Sequence, residues 1–261
     1  MKDIKLVNKR ILIDKSKIIY DKNLDETWRD DWLVMAGEWT CEDGCLIGVE
    51  RGNKGGVLFY KEEFDGKNVM LTCRISSVLP ATRDVNGIFC AGWDEKTDYL
   101  SDYYVCGLNG WYDNKAGIEG CKAGVGDFCG MSATSYRYEP GKEIEFTFGA
   151  VDGHCFMVVD DMLVAEHLDG ILKLRKGHIG FSPYCTILKI RDIVIREIAY
   201  EKFQQSYARS SETDEKIFDE RQSRRIGSGL RNFGRDIRNG YGDNVRVRRE
   251  TFRILLSVSR I

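Results

Sequence analysis

An all-β sandwich of two packed antiparallel sheets, followed by a basic tail, is the architecture this sequence predicts, and three observations predict it. Residues 37–92 form short alternating apolar and polar runs broken by Asp43-Gly44, Gly55-Gly56, Asp65-Gly66 and Asn86-Gly87. Asp-Gly and Asn-Gly pairs supply the positive φ values that tight hairpins demand. Candidate strands then recur as far as Ile198 with no long helix and no βαβ alternation, which leaves antiparallel sheets packed on one another. The composition agrees: 27 Gly, 11% aromatic residues and only three Pro place the turns on Gly, Asp and Asn.

In chain order the expected strands are 4–7, 10–13, 17–20, 38–41, 45–49, 56–60, 68–76, 87–92, 103–108, 143–150, 154–159, 162–167, 177–182 and 186–198. They are short alternating or apolar runs between turn signals. In the last, Ile190 gives way to Arg191-Asp192 before the alternation resumes, which predicts a bulge. Residues 143–167 can be read in more detail. With Asp152-Gly153 and Asp160-Asp161 as two-residue turns, Val151 pairs with His154 and Val159 with Met162. One face then collects Phe146, Phe148, Ala150, Cys155, Met157, Val159, Met162 and Val164, ending at Glu166, and is expected to be core. The other, mixed face collects Glu145, Thr147, Gly149, His154, Phe156, Val158, Leu163 and His167. This register makes His154 and His167 direct neighbours.

The net charge of −2 conceals two unlike parts. Residues 1–200 carry 25 Lys+Arg against 32 Asp+Glu, whereas residues 201–261 carry 14 against 9, and 12 of those 14 are Arg. A boundary near residue 200 follows, with a sandwich over 1–200 and an Arg-rich tail over 201–261. The tail has too little apolar residue content to offset its ordering entropy alone. It is expected to be mobile, or to dock on its own domain or a protein partner. Nine interspersed acids and the lack of an aromatic stacking platform disfavour nucleic acid. No stretch is long and apolar enough to span a bilayer. Charges interrupt every apolar run near the N-terminus before a signal-peptide core forms, so a cytoplasmic location is expected. Nine cysteines, an odd number without a C-x-x-C pair, point to free thiols. Across the 43–44 turn, Cys41 faces Leu46 and Cys45 faces Glu42, so the two thiols lie on opposite faces and cannot bridge.

Trp39 ahead of an Asp-Gly turn, a Gly55-Gly56 strand, Lys61-Glu62-Glu63-Phe64-Asp65-Gly66, a long strand and Asn86-Gly87-Ile88-Phe89 follow one another in an order that resembles a known family. It is the 3-keto-disaccharide hydrolase domain family, with its relatives in the concanavalin A-like lectin/glucanase superfamily, and the resemblance spans residues 28–198. It implies a concanavalin A-like jelly roll and a carbohydrate ligand. The family's N-S-G-x-F-x-R segment corresponds to Asn86-Gly87-Ile88-Phe89-Cys90-Ala91, without its serine and arginine. The superfamily's E-x-D-x-x-E strand is begun by Glu63 and Asp65 and broken by Asn68.

The chemistry concentrates in residues 93–114, which hold four Tyr, two Trp, four Asp and two Asn. Flat rings for the C–H faces of a sugar, beside acceptors for its hydroxyls, are what such a site needs. The expected ligand-binding residues are Trp93, Asp98, Tyr99, Tyr103, Asn109 and Trp111, and the candidate catalytic carboxylates are Asp94, Asp102 and Glu119. The competing reading makes half of these rings core, with Tyr104, Cys106 and Leu108 on one face of a strand and Tyr103 and Val105 on the other. His154 and His167 lack a third ligand, so no metal site and no cofactor are expected, a structural Ca²⁺ alone remaining compatible with the chain. The leading expectation is a carbohydrate-recognising protein accessory to intracellular oligosaccharide or polysaccharide use. Its rivals are a glycoside hydrolase or lyase and a non-catalytic protein-interaction module.

Overall fold

The computed structural model describes residues 2–51, 55–110, 115–122, 126–170 and 172–203, the side chains of 126–131 excepted. Beyond its first three residues, the expected tail lies outside the described residues, as does Trp111. In chain order the strands are β1 (Ile4–Lys5), β2 (Lys9–Ile11), β3 (Lys17–Asp21), β4 (Trp32–Ala36), β5 (Glu38–Glu42), β6 (Cys45–Val49) and β7 (Val57–Tyr60). They continue as β8 (Phe64–Asp65), β9 (Val69–Ser77), β10 (Val85–Ala91), β11 (Trp93–Asp94), β12 (Tyr99–Leu100), β13 (Tyr103–Gly110) and β14 (Lys115–Lys122). The last are β15 (Gly126–Thr134), β16 (Ile144–Val151), β17 (His154–Val159), β18 (Met162–Leu168), β19 (Lys176–Phe181), β20 (Ile187–Glu197) and β21 (Tyr200–Lys202). The only helices among the described residues are two short 3-10 turns, Ile13–Lys15 and Trp28–Asp30.

Two sheets form the sandwich. The front sheet runs β15-β14-β13-β10-β19-β7-β4, with β8 on β19, and the back sheet runs β18-β17-β16-β9-β20-β6-β5, with β3 on β20. Every strand pairing is antiparallel. The facing surfaces bury one apolar core, with Phe89, Tyr104 and Phe181 from the front and Leu71, Phe146, Phe148 and Ile190 from the back. Phe148 stands edge-on to Phe181 at 6.1 Å between ring centroids. A Cβ on Gly87 would lie 2.3 Å from the Phe148 ring, so this residue of the Asn86–Phe89 segment is glycine because an aromatic ring from the other sheet occupies the side-chain space. Trp39 uses Gly48, its partner across the β5–β6 hairpin, in the same way.

The β5–β6 register pairs Cys41 with Leu46 and Glu42 with Cys45, as the turn requires, and all eight cysteines with described side chains are free thiols. The expected bulge in β20 is present: pairing with β9 shifts between Arg191 and Val194, and Asp192 takes a positive φ of 53°. β14 and β15 were not anticipated. Their Gly-rich sequences, such as Ala116-Gly-Ile-Glu-Gly-Cys121, have low intrinsic strand preference and form strands because β13 offers an edge to pair with.

In the 143–167 region the first hairpin has the expected register, from Val151 opposite His154 to Phe146 opposite Val159. The second begins as expected at Val159 opposite Met162, but the register then shifts between Val158 and Met157. Met157 now faces Ala165, Phe156 faces Glu166 and His154 faces Leu168. The expected His154–His167 pair therefore does not form, because one extra residue absorbed in β18 exchanges the faces of everything beyond it. Ala165 joins the core and Met162, at the strand's start, is exposed. Glu166 crosses to the outer face, where its Oε2 lies 3.0 Å from His154 Nε2 and accepts the Val7 N–H at 2.9 Å.

That outer face is not mixed but sealed. β1, β2 and β21 form a small third sheet, and Ile4, Leu6, Ile11 and Ile13 bury Met70, Val151, Phe156 and Val158. His154 is 1% exposed, and its Nδ1 has no hydrogen-bond partner. Burial pushes the imidazole below its ordinary value of 6.5, a pull that the Glu166 carboxylate only partly offsets.

Two outcomes are expected. Phe148→Ala should cost about 3–5 kcal/mol in chemical denaturation. Thr147→Ala, which removes a buried hydroxyl paired at 3.0 Å with Thr72, should cost about 1 kcal/mol. Equal costs would contradict the assignment of faces. Separately, a histidine kept neutral in the fold takes up its proton more readily when unfolded, so the unfolded chain gains protons first as pH falls through 6.5 and stability is lost over that window. Melting temperatures recorded on acidification should show a smaller loss for His154→Gln than for the parent.

Candidate functional site

The outer face of the front sheet is built differently. Glu119 on β14, Val105 on β13, Ile88 on β10, Gly180 on β19 and Phe59 on β7 stand in one cross-strand row. Val57, Tyr103 and Cys121 extend it into a second apolar cluster distinct from the core. The β11–β12 hairpin packs over this cluster. It pairs Trp93 with Leu100 and Asp94 with Tyr99, so residues of one pair share a face. Trp93 and Leu100 pack against the cluster, while Tyr99 is left 39% exposed.

Beside the hairpin runs an open groove of about 240 Å³. Val57, Ile88 and Val105 give it an apolar floor, and Tyr103 and Glu119 border that floor. The polar end is made by Arg83, Asp84, Asn86 and Ser182. Tyr99 rims it from the hairpin and Tyr184 from the loop after β19, the latter 37% exposed.

The expected site residues divide accordingly. Tyr99, Tyr103 and Glu119 line the groove. Trp93 anchors the hairpin rather than presenting an open face. Asp94 organises the hairpin turn, accepting the Lys96 N–H at 2.9 Å and the Thr97 hydroxyl at 3.1 Å, and Asp98 closes that turn with a positive φ of 51°. Asp102 is half-buried, and its carbonyl accepts the Gly92 N–H at 2.8 Å. Asn109 is buried away from the groove: its amide donates to the carbonyls of Thr82 and Tyr138 and accepts the Tyr138 N–H at 3.1 Å. It clamps two loops together. Tyr104, Cys106 and Leu108 enter the core while Tyr103 and Val105 face outward, as strand alternation requires. Among the described residues no group of three His, Cys, Asp or Glu gathers to hold a metal, and no helix is long and apolar enough to cross a membrane.

Arg83, Asp84, Asn86, Ser182 and Tyr184 were not anticipated. A signal was available, since Arg83-Asp84 immediately precedes the Asn86–Phe89 segment and Pro183-Tyr184 follows the strand ending in Ser182. Asp84 is unusual among them. It takes a positive φ of 55°, is 7% exposed, and its Oδ2 makes no hydrogen bond, the Arg83 Nε standing 3.5 Å away. Burial raises its carboxyl to about 6 against the smaller opposing pull of Arg83 and a hydrogen bond from Asn86.

No family model matches the chain, and no curated protein matches it. Solved structures do match. One is a protein of unknown function with a galectin-like fold from Bacillus subtilis, at TM-score 0.56 and 13% identity over 70% of this chain and 97% of that one. A second is the carbohydrate binding module CBM66 from Bacillus subtilis, at TM-score 0.51 and 12% identity, covering 64% and 95%. A third is the endo-beta-1,3-glucanase from Pyrococcus furiosus, at TM-score 0.50 and 10% identity, covering 77% and 100%. At such identities the likeness is one of fold, and the fold is a concanavalin A-like jelly-roll sandwich.

Proposed function

We propose that the groove on the front sheet binds a carbohydrate and that the protein is a carbohydrate-recognising β-sandwich accessory to oligosaccharide or polysaccharide use. The observation that carries this reading is the pair of exposed tyrosines, Tyr99 and Tyr184, rimming a groove whose floor is apolar and whose end holds Arg83, Asp84, Asn86 and Ser182. Rings that stack on sugar C–H faces and polar groups that meet hydroxyls are combined in one concavity. Two fold neighbours, a carbohydrate binding module and a glucanase, support the same ligand class.

Recognition is favoured over hydrolysis by where the carboxylates stand. Glu119 lies opposite Val105, and Asp84 is one residue beyond Val85, which lies opposite Leu108. The backbones of Asp84 and Glu119 are thus about two strand spacings apart and about four residues along, on the order of 16 Å. Even with both side chains extended toward each other the carboxyls stay on the order of 10 Å apart, whereas glycoside hydrolysis needs about 5–9.5 Å. The eight free thiols support a reducing location, which we take to be the cytoplasm. We place the binding function in residues 1–203 and treat the basic remainder as an appendage.

An oligosaccharide panel of neutral gluco-, xylo-, manno- and fructo-series with uronate counterparts, titrated by calorimetry, tests this. Tyr99→Ala and Tyr184→Ala should each weaken the best hit about tenfold or more, while the melting temperature stays within a few degrees because both rings are exposed. A chain ending at residue 203 should keep the affinity. Full affinity in both tyrosine variants would remove the groove from consideration.

A further inference from the structure

The polar end of the groove is a charge pair with an uncommon division of exposure. The Arg83 side chain is 55% exposed and lines the groove, and that of Asp84 is 11% exposed beneath it, with Arg83 Nε 3.5 Å from Asp84 Oδ2. Nε is the guanidinium nitrogen nearest the carboxylate. A guanidinium is a planar fork of donors, and its remaining edge matches two adjacent oxygens. The carboxylate beneath it cancels the cation, so the fork is a donor without being a strong anion attractor.

We propose that Arg83 is the specificity-determining contact of the groove, its Nη groups donating to two adjacent hydroxyl oxygens of an uncharged sugar, with Asp84 as the positioning residue that orients the fork and neutralises it. This rests on the carbohydrate reading of the groove and narrows it to neutral ligands. It also makes binding depend on the Asp84 charge. The titratable or charged groups on the surrounding elements are Arg83 on the same loop, Lys115 and Glu119 on β14, and Tyr99, Tyr103 and Tyr184 around the groove, and of these Arg83 alone perturbs the carboxyl, which burial holds at about 6. As pH falls through about 6, Asp84 protonates, Nε loses its anionic partner, and the fork is left unoriented with an uncompensated charge.

The test uses the full chain and the tightest neutral oligosaccharide of the panel, with its uronate counterpart. At pH 7.5, Arg83→Lys, which keeps the charge and loses the fork, should weaken the neutral ligand about tenfold. Asp84→Asn should weaken it severalfold, abolish the loss of affinity on acidification that the parent shows, and shift preference toward the uronate. Its melting temperature should stay equal or rise, because a desolvated carboxylate has been removed. Parental affinity in Arg83→Lys, an unchanged acid-side loss in Asp84→Asn, or a lower melting temperature in Asp84→Asn would each overturn the assignment. If Tyr99→Ala and Tyr184→Ala lose binding while Arg83→Lys keeps it, only this assignment fails. The absence of any hit on the panel overturns both it and the groove reading.

Discussion

The contact between Phe148 and the backbone of Gly87 is the constraint on which the rest of the sandwich depends. A ring from the back sheet enters the space where a front-sheet side chain would begin, so the two sheets approach closely there. Close-packed interiors of this kind tolerate neither a gap nor an extra methyl group. The register of β10 is held there, and β10 carries Asn86 and Ile88 on its opposite face into the groove. Core packing and groove geometry are thus two faces of one strand, separated by the single-residue alternation of a β-sheet.

The two outer surfaces have different fates, one covered and one left partly open. On the back sheet the N-terminal strands bury Phe156 and Val158 and close off His154. On the front sheet the small β11–β12 hairpin covers only part of an apolar cluster, and the uncovered part becomes the groove floor. The aromatic-acidic segment 93–104 is therefore divided between packing and the groove. Trp93 holds the hairpin down, Tyr104 enters the core, and Tyr99 is exposed at the rim. One carboxylate that reads as catalytic in sequence, Asp94, is consumed in shaping the hairpin turn.

Asp84 stands at the groove at a cost to stability. A carboxyl placed out of water, with one oxygen that makes no hydrogen bond and has only the Arg83 Nε at 3.5 Å, is unfavourable in the fold. Its backbone also adopts a conformation that costs free energy for a residue with a Cβ. Neither feature helps the sandwich close, and both occur at the polar end of the groove.

Turn chemistry and alternation by themselves determined the class of fold, the β5–β6 and β16–β17 registers, the separation of Cys41 from Cys45 and the bulge near Arg191, because each depends on residues close together in the chain. The segment 93–103 was also legible as a place where rings and polar groups gather, and it supplies Tyr99 and Tyr103 to the groove. Tertiary structure decided the remainder. The β17–β18 slip that moves Glu166 to His154 is set by which side chains the core accepts, and the strands of β14 and β15 form on an edge that only β13 provides. Arg83, Asp84, Asn86, Ser182 and Tyr184 meet at the groove because β10 and β19 are neighbours in the sheet though nearly a hundred residues apart in the chain, a long-range pairing that no local pattern encodes.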